Sequence, residues 1–313
     1  MADKESAGIN KAGAVADKES AVVGMNPAIT RTRKRSRILR VLSDEGVLTK
    51  ICVFLILLFV LAAVFAPLLT KYSPLEQNLL EKNQGPSSEH WLGTDQLGRD
   101  LLTRLIYGAR ISLVTGLMSN VWAALGGVLL GLAAGYLGGA AGMIIMRLTD
   151  AMISIPPLIF TMVLAGIANG NLIGISFVIG LSLLPGYIRI INGLVISLRE
   201  NDYIVAARII GQRGSVIMVR HLLPNCFASL IVVFTMNLGT AIMLESALSY
   251  LGIGITPPTP AWGVMVADGY KFLINIPHLA IYPGICIMLL VIAFNIVGDG
   301  LRDVLDPRLR GRV

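Results

Sequence analysis

Residues 111–146 read ISLVTGLMSNVWAALGGVLLGLAAGYLGGAAGMIIM and carry no charged side chain, with Arg110 and Arg147 standing on either side. A helix needs about 20 apolar residues to cross the ~30 Å hydrocarbon core of a bilayer, so this run holds more than one crossing. Gly135, Gly138, Gly139 and Gly142 supply the break, because glycine weakens a helix and accepts turn conformations. The run predicts spans over 111–134 and 143–168. A membrane barrel is excluded: its strands alternate apolar and polar residues between aromatic girdles, whereas these runs are continuous and aromatics make up 6%. The whole 313-residue chain agrees, at 55% hydrophobic and 14% charged residues with a mean hydropathy of +0.73. Soluble domains carry about a quarter charged residues, so a water-soluble enzyme is excluded and the fold class is an all-α polytopic membrane protein.

Outward from that run, a first span reads over 51–69 and a fourth over about 172–190, after the turn Asn169-Gly170-Asn171. A fifth covers about 225–250 and a sixth about 279–298. Six transmembrane helices leave both termini on one side. Arg31, Arg33, Lys34, Arg35, Arg37 and Arg40 crowd ahead of the first span; Arg199, Arg208, Arg213 and Arg220 lie between the fourth and fifth; Arg302, Arg308, Arg310 and Arg312 close the chain. Basic loops stay inside, so both termini are expected in the cytoplasm, and the net charge of +7 is a topology signal rather than a nucleic-acid surface. The cluster at 31–40 also suits anionic membrane lipid.

Residues 1–50 form a cytoplasmic N-terminal tail, expected to be largely disordered, in which ADKESA occurs at 2–7 and again at 16–21. The first apolar run begins near Ile51, too late for a cleaved signal peptide. Residues 70–110 become an extracytoplasmic segment despite Lys71, Lys82, Arg99, Arg104 and Arg110. Within it, Leu101, Leu102, Leu105 and Ile106 share a helical face opposite Arg99, Thr103 and Arg104, which predicts a short helix lying along the outer interface. Residues 111–300 hold the transmembrane core and 301–313 a cytoplasmic tail.

The segment 200–225, ENDYIVAARIIGQRGSVIMVRHLLPN, is longer than joining two spans requires. Its composition is helical on both sides of Gly211, and Pro224 is placed to open the next span. Ile204, Ala207 and Ile210 fall on one face, and Val216, Val219 and Leu223 on another. Two amphipathic helices resting on headgroups and a docking element for a cytoplasmic partner both fit.

Ala206-Ala207, Gly211 and Leu223-Pro224 carry a resemblance to the EAA loop of bacterial ABC importer permeases, Glu-Ala-Ala, three residues, Gly, nine residues, Ile, one residue, Leu-Pro. Val205 replaces the family's Glu and His221 its Ile. The ending Arg220 to Asn225 resembles the dipeptide/oligopeptide/nickel branch. So do Gly93-Thr94-Asp95, Gly98-Arg99-Asp100, the stretch from Gly108 to Leu113, that from Asp150 to Pro156, that from Glu245 to Gly252, Trp262-Gly263, the stretch from Gly298 to Asp303, and Asp306-Pro307-Arg308. Over about residues 50–313 the pattern is similar to the DppC/OppC-type subunit. The resemblance implies a type I ABC importer (MetI-like) permease fold in a bacterial or archaeal cytoplasmic membrane. It implies ATP-driven import of dipeptides or oligopeptides, with nickel chelates, glutathione or another small solute as the alternative cargo. The implied partners are a homologous second permease (DppB/OppB-type), two ABC ATPase subunits carrying ATP and Mg, and an extracytoplasmic substrate-binding protein. Under it, Ala206, Ala207, Arg208, Gly211, Arg213, Arg220, His221 and Pro224 form the ATPase-coupling loop. The chain holds no Gly-x-x-x-x-Gly-Lys-Ser/Thr loop, so it is expected to be no enzyme and to bind no cofactor of its own.

Charges inside apolar spans are costly and should face the bundle interior or a pore. Asp150 has Arg147 three residues away as a partner, while Glu245 has no cation nearby in sequence and reads equally as a gate residue or as a buried pair. Pro156 and Pro157 break the third span. Ser154, Pro156, Asn237, Glu245 and Asn295 are the candidate pathway or gate residues. The glycines of 126–142 are expected to allow close helix packing. Cys52, Cys226 and Cys286 read as packing residues rather than disulfides, and His90, His221 and His278 are too scattered for a metal or catalytic site. A secondary transporter or channel, which needs no ATPase, and a membrane-embedded enzyme are the rival readings.

Overall fold

The computed structural model describes residues 46–305. The ADKESA repeats, the arginine cluster at 31–40, and Arg308, Arg310 and Arg312 lie outside the described residues. Among the described residues the structure is helical, with one isolated bridge between Thr94 and Asp100 in place of any strand. Among these residues five helices are long and apolar enough to cross a membrane, or six if a bent pair forms one span.

The first crossing is α1, Val47–Val64, followed after Phe65 by the single turn α2, Ala66–Leu69. Its exposed face carries Phe54, Leu57, Leu58 and Leu61, as a lipid-facing helix should. The next helix, α3, spans Leu101–Leu137 and starts ten residues before the predicted span. Asp100 caps it, its carboxylate accepting the Thr103 amide at 2.7 Å, which satisfies one of the orphan donors of the first turn. No separate interfacial helix exists here, contrary to expectation. Residues 101–106 are the first turns of α3, with Arg99 and Arg104 buried rather than facing water. Asp95 makes this possible: its carboxylate receives Arg99 Nε at 2.6 Å and Arg104 Nε at 3.5 Å, and a paired charge can leave water where a lone one cannot.

The predicted glycine break is real and sharp. Gly138 and Gly139 take φ +62° and +52°, a left-handed step that side chains resist, and α4, Gly139–Ile153, turns back. It meets α5, Pro157–Ala165, at 90°, so the third crossing is broken rather than straight. Asn169 and Gly170, at φ +51° and +65°, form the expected turn. Asn171 then caps α6, Leu172–Leu198, through the Gly174 amide at 2.7 Å. This helix runs eight residues past the predicted end at 190.

Among the described residues, α3 and α6 pack backbone close to backbone. A Cβ on Gly127 would stand 2.2 Å from the Tyr187 Cβ, and Cβ atoms on Gly131 and Gly135 would stand 2.7 Å from the Cβ atoms of Ile191 and Val195. Glycines four apart share one helix face, and without a hydrophobic drive between helices in lipid, close van der Waals approach holds them together. The expected role of this glycine run is borne out. Tyr187 seals the seam by donating its hydroxyl to Asn120 Oδ1 at 2.8 Å.

Beyond the fifth crossing, α9 at Leu223–Tyr250, comes the short helix α10, Trp262–Tyr270, and then α11, His278–Leu305. Residues 301–305 are the end of α11, not the start of a tail. Trp262 is fully buried, donates Nε1–H to the Leu105 carbonyl at 2.9 Å, and meets the Phe59 ring edge to face at 5.6 Å. It ties the loop between the last two crossings to α1 and α3. Among the described residues the two larger cores are one around Tyr187, Ile191 and Leu248 and one around Trp262, Leu101 and Leu290, with a small third at Ile255, Ala261 and Val264.

Candidate functional site

The segment 200–225 folds as an elbow at the end of the bundle where α3 and α6 finish. Its first arm is α7, Asp202–Ile209; the second begins with α8, Gly214–Ile217, and continues through a π turn, Met218–Leu222, directly into α9. Gly211 closes α7 at φ +82°. Its amide reaches the Arg208 carbonyl at 2.9 Å and the Gln212 amide reaches the Ala207 carbonyl at 3.1 Å, the paired bonds of a glycine C-cap that satisfy otherwise orphaned carbonyls. A Cβ on Gly211 would meet nothing within 4 Å. Only the backbone conformation demands glycine there.

Ile204, Ile217 and Leu222 are fully buried and Ala207 nearly so, so the elbow has one inward face. The expected faces are corrected in two places. Ile210 is 84% exposed rather than packed beside Ile204 and Ala207, and Val216 and Val219 point out while Ile217 and Leu222 point in. The π turn explains the second: it takes five residues per backbone bond, and the buried positions step from 217 to 222. Pro224 stands in the first turn of α9 as expected, but no break precedes it, since Gly214–Tyr250 is a single helical run. Proline lacks an N–H and crowds the carbonyl four residues back, which here belongs to Arg220, and the wide turn just ahead of it gives that ring room.

The outer side of the elbow presents Val205, Ile209, Ile210 and Val219 exposed, together with Ala206, Arg208, Arg213 and Arg220. His221 is half-buried and its Nε2 lies 3.0 Å from Gln212 Oε1, a brace between the two arms. Arg208 sits over the Tyr136 ring at 5.0 Å, and Arg199 Nη1 donates to the Gly135 carbonyl at 3.0 Å. The elbow is therefore seated on the end of α3.

A second feature lies deeper in the bundle. At the 90° break between α4 and α5, residues 153–159 are exposed, and Ser154 donates its hydroxyl to the Ala151 carbonyl at 2.7 Å. Beside the break runs a groove of about 350 Å³ lined by Ile153, Pro157, Phe160, Ser182, Pro185 and Asn237 among others. Ser154 and Pro156 belong to the same exposed segment. Glu245 and Asn295 do not join it. Asn295 is exposed on α11. Glu245 is fully buried, receiving the hydroxyls of Ser249 at 2.8 Å, Ser112 at 3.2 Å and Ser246 at 3.5 Å; Ser249 in turn accepts the Ile255 amide at 3.1 Å. Asp150 pairs not with Arg147 but with Arg189 of α6, at 2.7 Å. Sequence reading did not single out Arg189, since its partner lies 39 residues away on another helix.

Outside the spans, His90 bridges two carboxylates, Nδ1 lying 2.9 Å from Asp100 Oδ1 and Nε2 3.4 Å from Glu81 Oε2, with the Tyr72 ring 4.9 Å away. Burial alone would lower its pKa, but the bonds to Asp100 and Glu81 outweigh it and raise the imidazole above its ordinary value. Among the described residues no cluster of metal-ligating side chains exists, and Cys52, Cys226 and Cys286 are free thiols.

Residues 127–311, which hold both the elbow and the groove, match the inner membrane component of binding-protein-dependent transport systems. The chain belongs to this permease family. Residues 48–86 further match the N-terminal transmembrane domain of oligopeptide transport permease C. The dipeptide transport system permease protein DppC of Alkalihalophilus pseudofirmus is 42% identical over 252 residues, 80% of this chain and 83% of that protein. The oligopeptide transport system permease protein OppC of Bacillus subtilis is 36% identical over 263 residues, 84% of this chain and 86% of that protein. The glutathione transport system permease protein GsiD of Pectobacterium atrosepticum is 40% identical over 228 residues, 73% and 76% of the two chains.

Proposed function

We propose that this chain is one of two permease subunits of an ATP-driven importer of dipeptides or oligopeptides, and that its elbow is the seat of an ABC ATPase. The observation that carries the reading is the elbow's outer surface. Ile209 and Ile210 are 80% and 84% exposed beyond the end of the crossings, flanked by Arg208, Arg213 and Arg220, a composition that suits a protein partner. The partner set is a homologous second permease, two ATPase subunits that bind ATP and Mg, and an extracytoplasmic binding protein. Peptide cargo is supported by the relatives named for dipeptide and oligopeptide transport. The elbow end, with Arg199, Arg208, Arg213 and Arg220, faces the cytoplasm by the positive-inside rule, and with it both termini. A cysteine placed at Ser20 should resist impermeant thiol reagents in intact cells, and labelling there would reverse the orientation.

The decisive experiment changes Ile209 and Ile210 together to Asp in the assembled transporter. These side chains touch little of their own chain, so insertion and pairing with the second permease should persist while the ATPase subunits are lost and ATP-driven uptake of trialanine stops. Full retention of the ATPases would overturn the docking role. Trialanine uptake by the wild-type permease pair alone, driven by an ion gradient with no ATPase, would instead establish a secondary transporter.

A further inference from the structure

We propose that Arg189 and Asp150 form a charged station on the translocation path, where Arg189 takes the carboxylate of a passing peptide; the proposal rests on the reading of this chain as a peptide permease. Their ion pair is 2.7 Å long, yet the two side chains are 54% and 46% exposed. Arg189 lies nine residues before the end of α6, about 14 Å into the helix at 1.5 Å per residue, and Asp150 lies about 16 Å beyond the start of α4. An arginine can snorkel to an interface, but an aspartate with one methylene cannot. A half-exposed charged pair at that depth is costly against lipid. This face is therefore turned to water or to protein.

The local backbone fits both, and two further features point to water. The exposed, non-helical backbone between Ile153 and Pro157 is tolerated at membrane depth where it lines an aqueous cavity or is covered by protein. One turn before Arg189, Gly186 has nothing within 4 Å of where a Cβ would stand, leaving a clear lane along α6. That lane leads into the groove of about 350 Å³, whose walls are apolar, with Pro157 and Phe160, and whose polar groups include Ser182 and Asn237. Such a lining has little means of reading side chains. What all peptides share is a backbone with an ammonium at one end and a carboxylate at the other.

Arg189 is equipped for the carboxylate. A guanidinium has five donors in a planar fork, and here one nitrogen, Nη2, is bonded to Asp150. The remaining edge can receive a second carboxylate. Asp150 makes that reception weak, because it already offsets the positive charge, and a transport site must release what it binds. The same carboxylate offers an acceptor to a peptide ammonium that arrives first.

The test uses the complete complex in proteoliposomes with its binding protein, ATP and radiolabelled trialanine. Arg189→Gln should reduce trialanine uptake about tenfold, the effect of losing one charge-assisted hydrogen bond, while subunit assembly and binding-protein-stimulated ATP hydrolysis stay near wild type. The charge-swapped pair Asp150→Arg with Arg189→Asp should recover assembly if Arg189→Gln disturbs it, but not uptake, since the cation has moved to the other helix. Wild-type uptake by the swapped pair would make the ion pair a structural clasp and overturn the proposal. In a cysteine-free chain, Gly186→Cys should react with a charged methanethiosulfonate during turnover, more slowly with excess trialanine; no reaction at rest or in turnover would place this face against lipid or protein and also overturn it. Absence of trialanine uptake by the wild-type complex would refute the peptide reading itself, and the labelling at position 186 would still report whether the face is wet.

Discussion

Gly127→Ala adds one methyl group at the tightest point between α3 and α6. Its Cβ would lie 2.2 Å from the Tyr187 Cβ and 3.3 Å from both the Tyr187 Cα and the Ile188 amide nitrogen. Carbon atoms settle at about 3.5–4.0 Å, so the two helices must part by roughly 1.5 Å. Tyr187 cannot swing aside alone, because the conflict is with its Cβ and backbone, not with a flexible tip. The bond from its hydroxyl to Asn120, 2.8 Å long and joining the same two helices, would then stretch beyond hydrogen-bond range. Overpacking costs about 1–3 kcal/mol and the buried hydrogen bond about 1 kcal/mol, giving roughly 2–4 kcal/mol. The assay is thermal unfolding of the detergent-purified permease, followed by loss of monodispersity, against Gly193→Ala. Gly193 lies on α6 with nothing near its Cβ direction, and alanine is the better helix former by about 1 kcal/mol, so this control should be neutral or slightly stabilising. Equal melting temperatures for the two variants would refute the close-contact account of the glycine seam.

At the elbow, Gly211→Val should strain the φ of +82° by about 1–2 kcal/mol and weaken coupling of ATP hydrolysis to uptake, whereas Gly211→Asn, which tolerates that conformation, should keep most uptake; equal activities would remove backbone geometry from the explanation. His90 has a pKa raised above its ordinary 6.5, so the stability it contributes is complete below about pH 6.5 and is lost as pH rises through the raised value. His90→Gln should therefore lower the melting temperature more at pH 6 than at pH 9, and a larger loss at pH 9 would contradict the two-carboxylate bridge. Glu245→Gln keeps acceptors and donors for Ser112, Ser246 and Ser249 and should fold and assemble, while Glu245→Ala strands buried hydroxyls at about 1–3 kcal/mol each; equal yields of folded complex from both would show that the serine cage is not structural.

Much of this architecture was legible because it depends on quantities a sequence displays. The uncharged stretch 111–146, the glycine break and the Asn-Gly-Asn turn each follow from local chemistry, and the elbow's centre was marked by Gly211. What escaped reading depends on distant partners. The start of α3 was misplaced because Arg99 and Arg104 look like surface charges until Asp95 is folded beside them. The inward face of the second arm was misassigned because a π turn leaves no periodic signature, and 3.6-residue counting then selects Val216 and Val219 instead of Ile217 and Leu222. Asp150 was given its sequence neighbour Arg147, while the real partner stands 39 residues away on another helix. Of the candidate pathway residues, Ser154, Pro156 and Asn237 gather at the broken span. Glu245 and Asn295 do not, because polarity within a span marks a buried cage or an outer helix face as readily as a cavity.

The unbroken run from Gly214 to Tyr250 makes the elbow and the far mouth of the bundle two ends of one rod, roughly 55 Å long at 1.5 Å per residue. With no loop between them to absorb a change in length, each inserted residue would turn one end about 100° against the other and shift it by ~1.5 Å. Insertions between residues 226 and 244 should therefore put the elbow and Glu245 out of phase with each other, while an insertion near Pro257, in the loop before α10, leaves their spacing unchanged. The phase of this helix is thus a fixed dimension of the machine, and only the loops beside it have slack to lend.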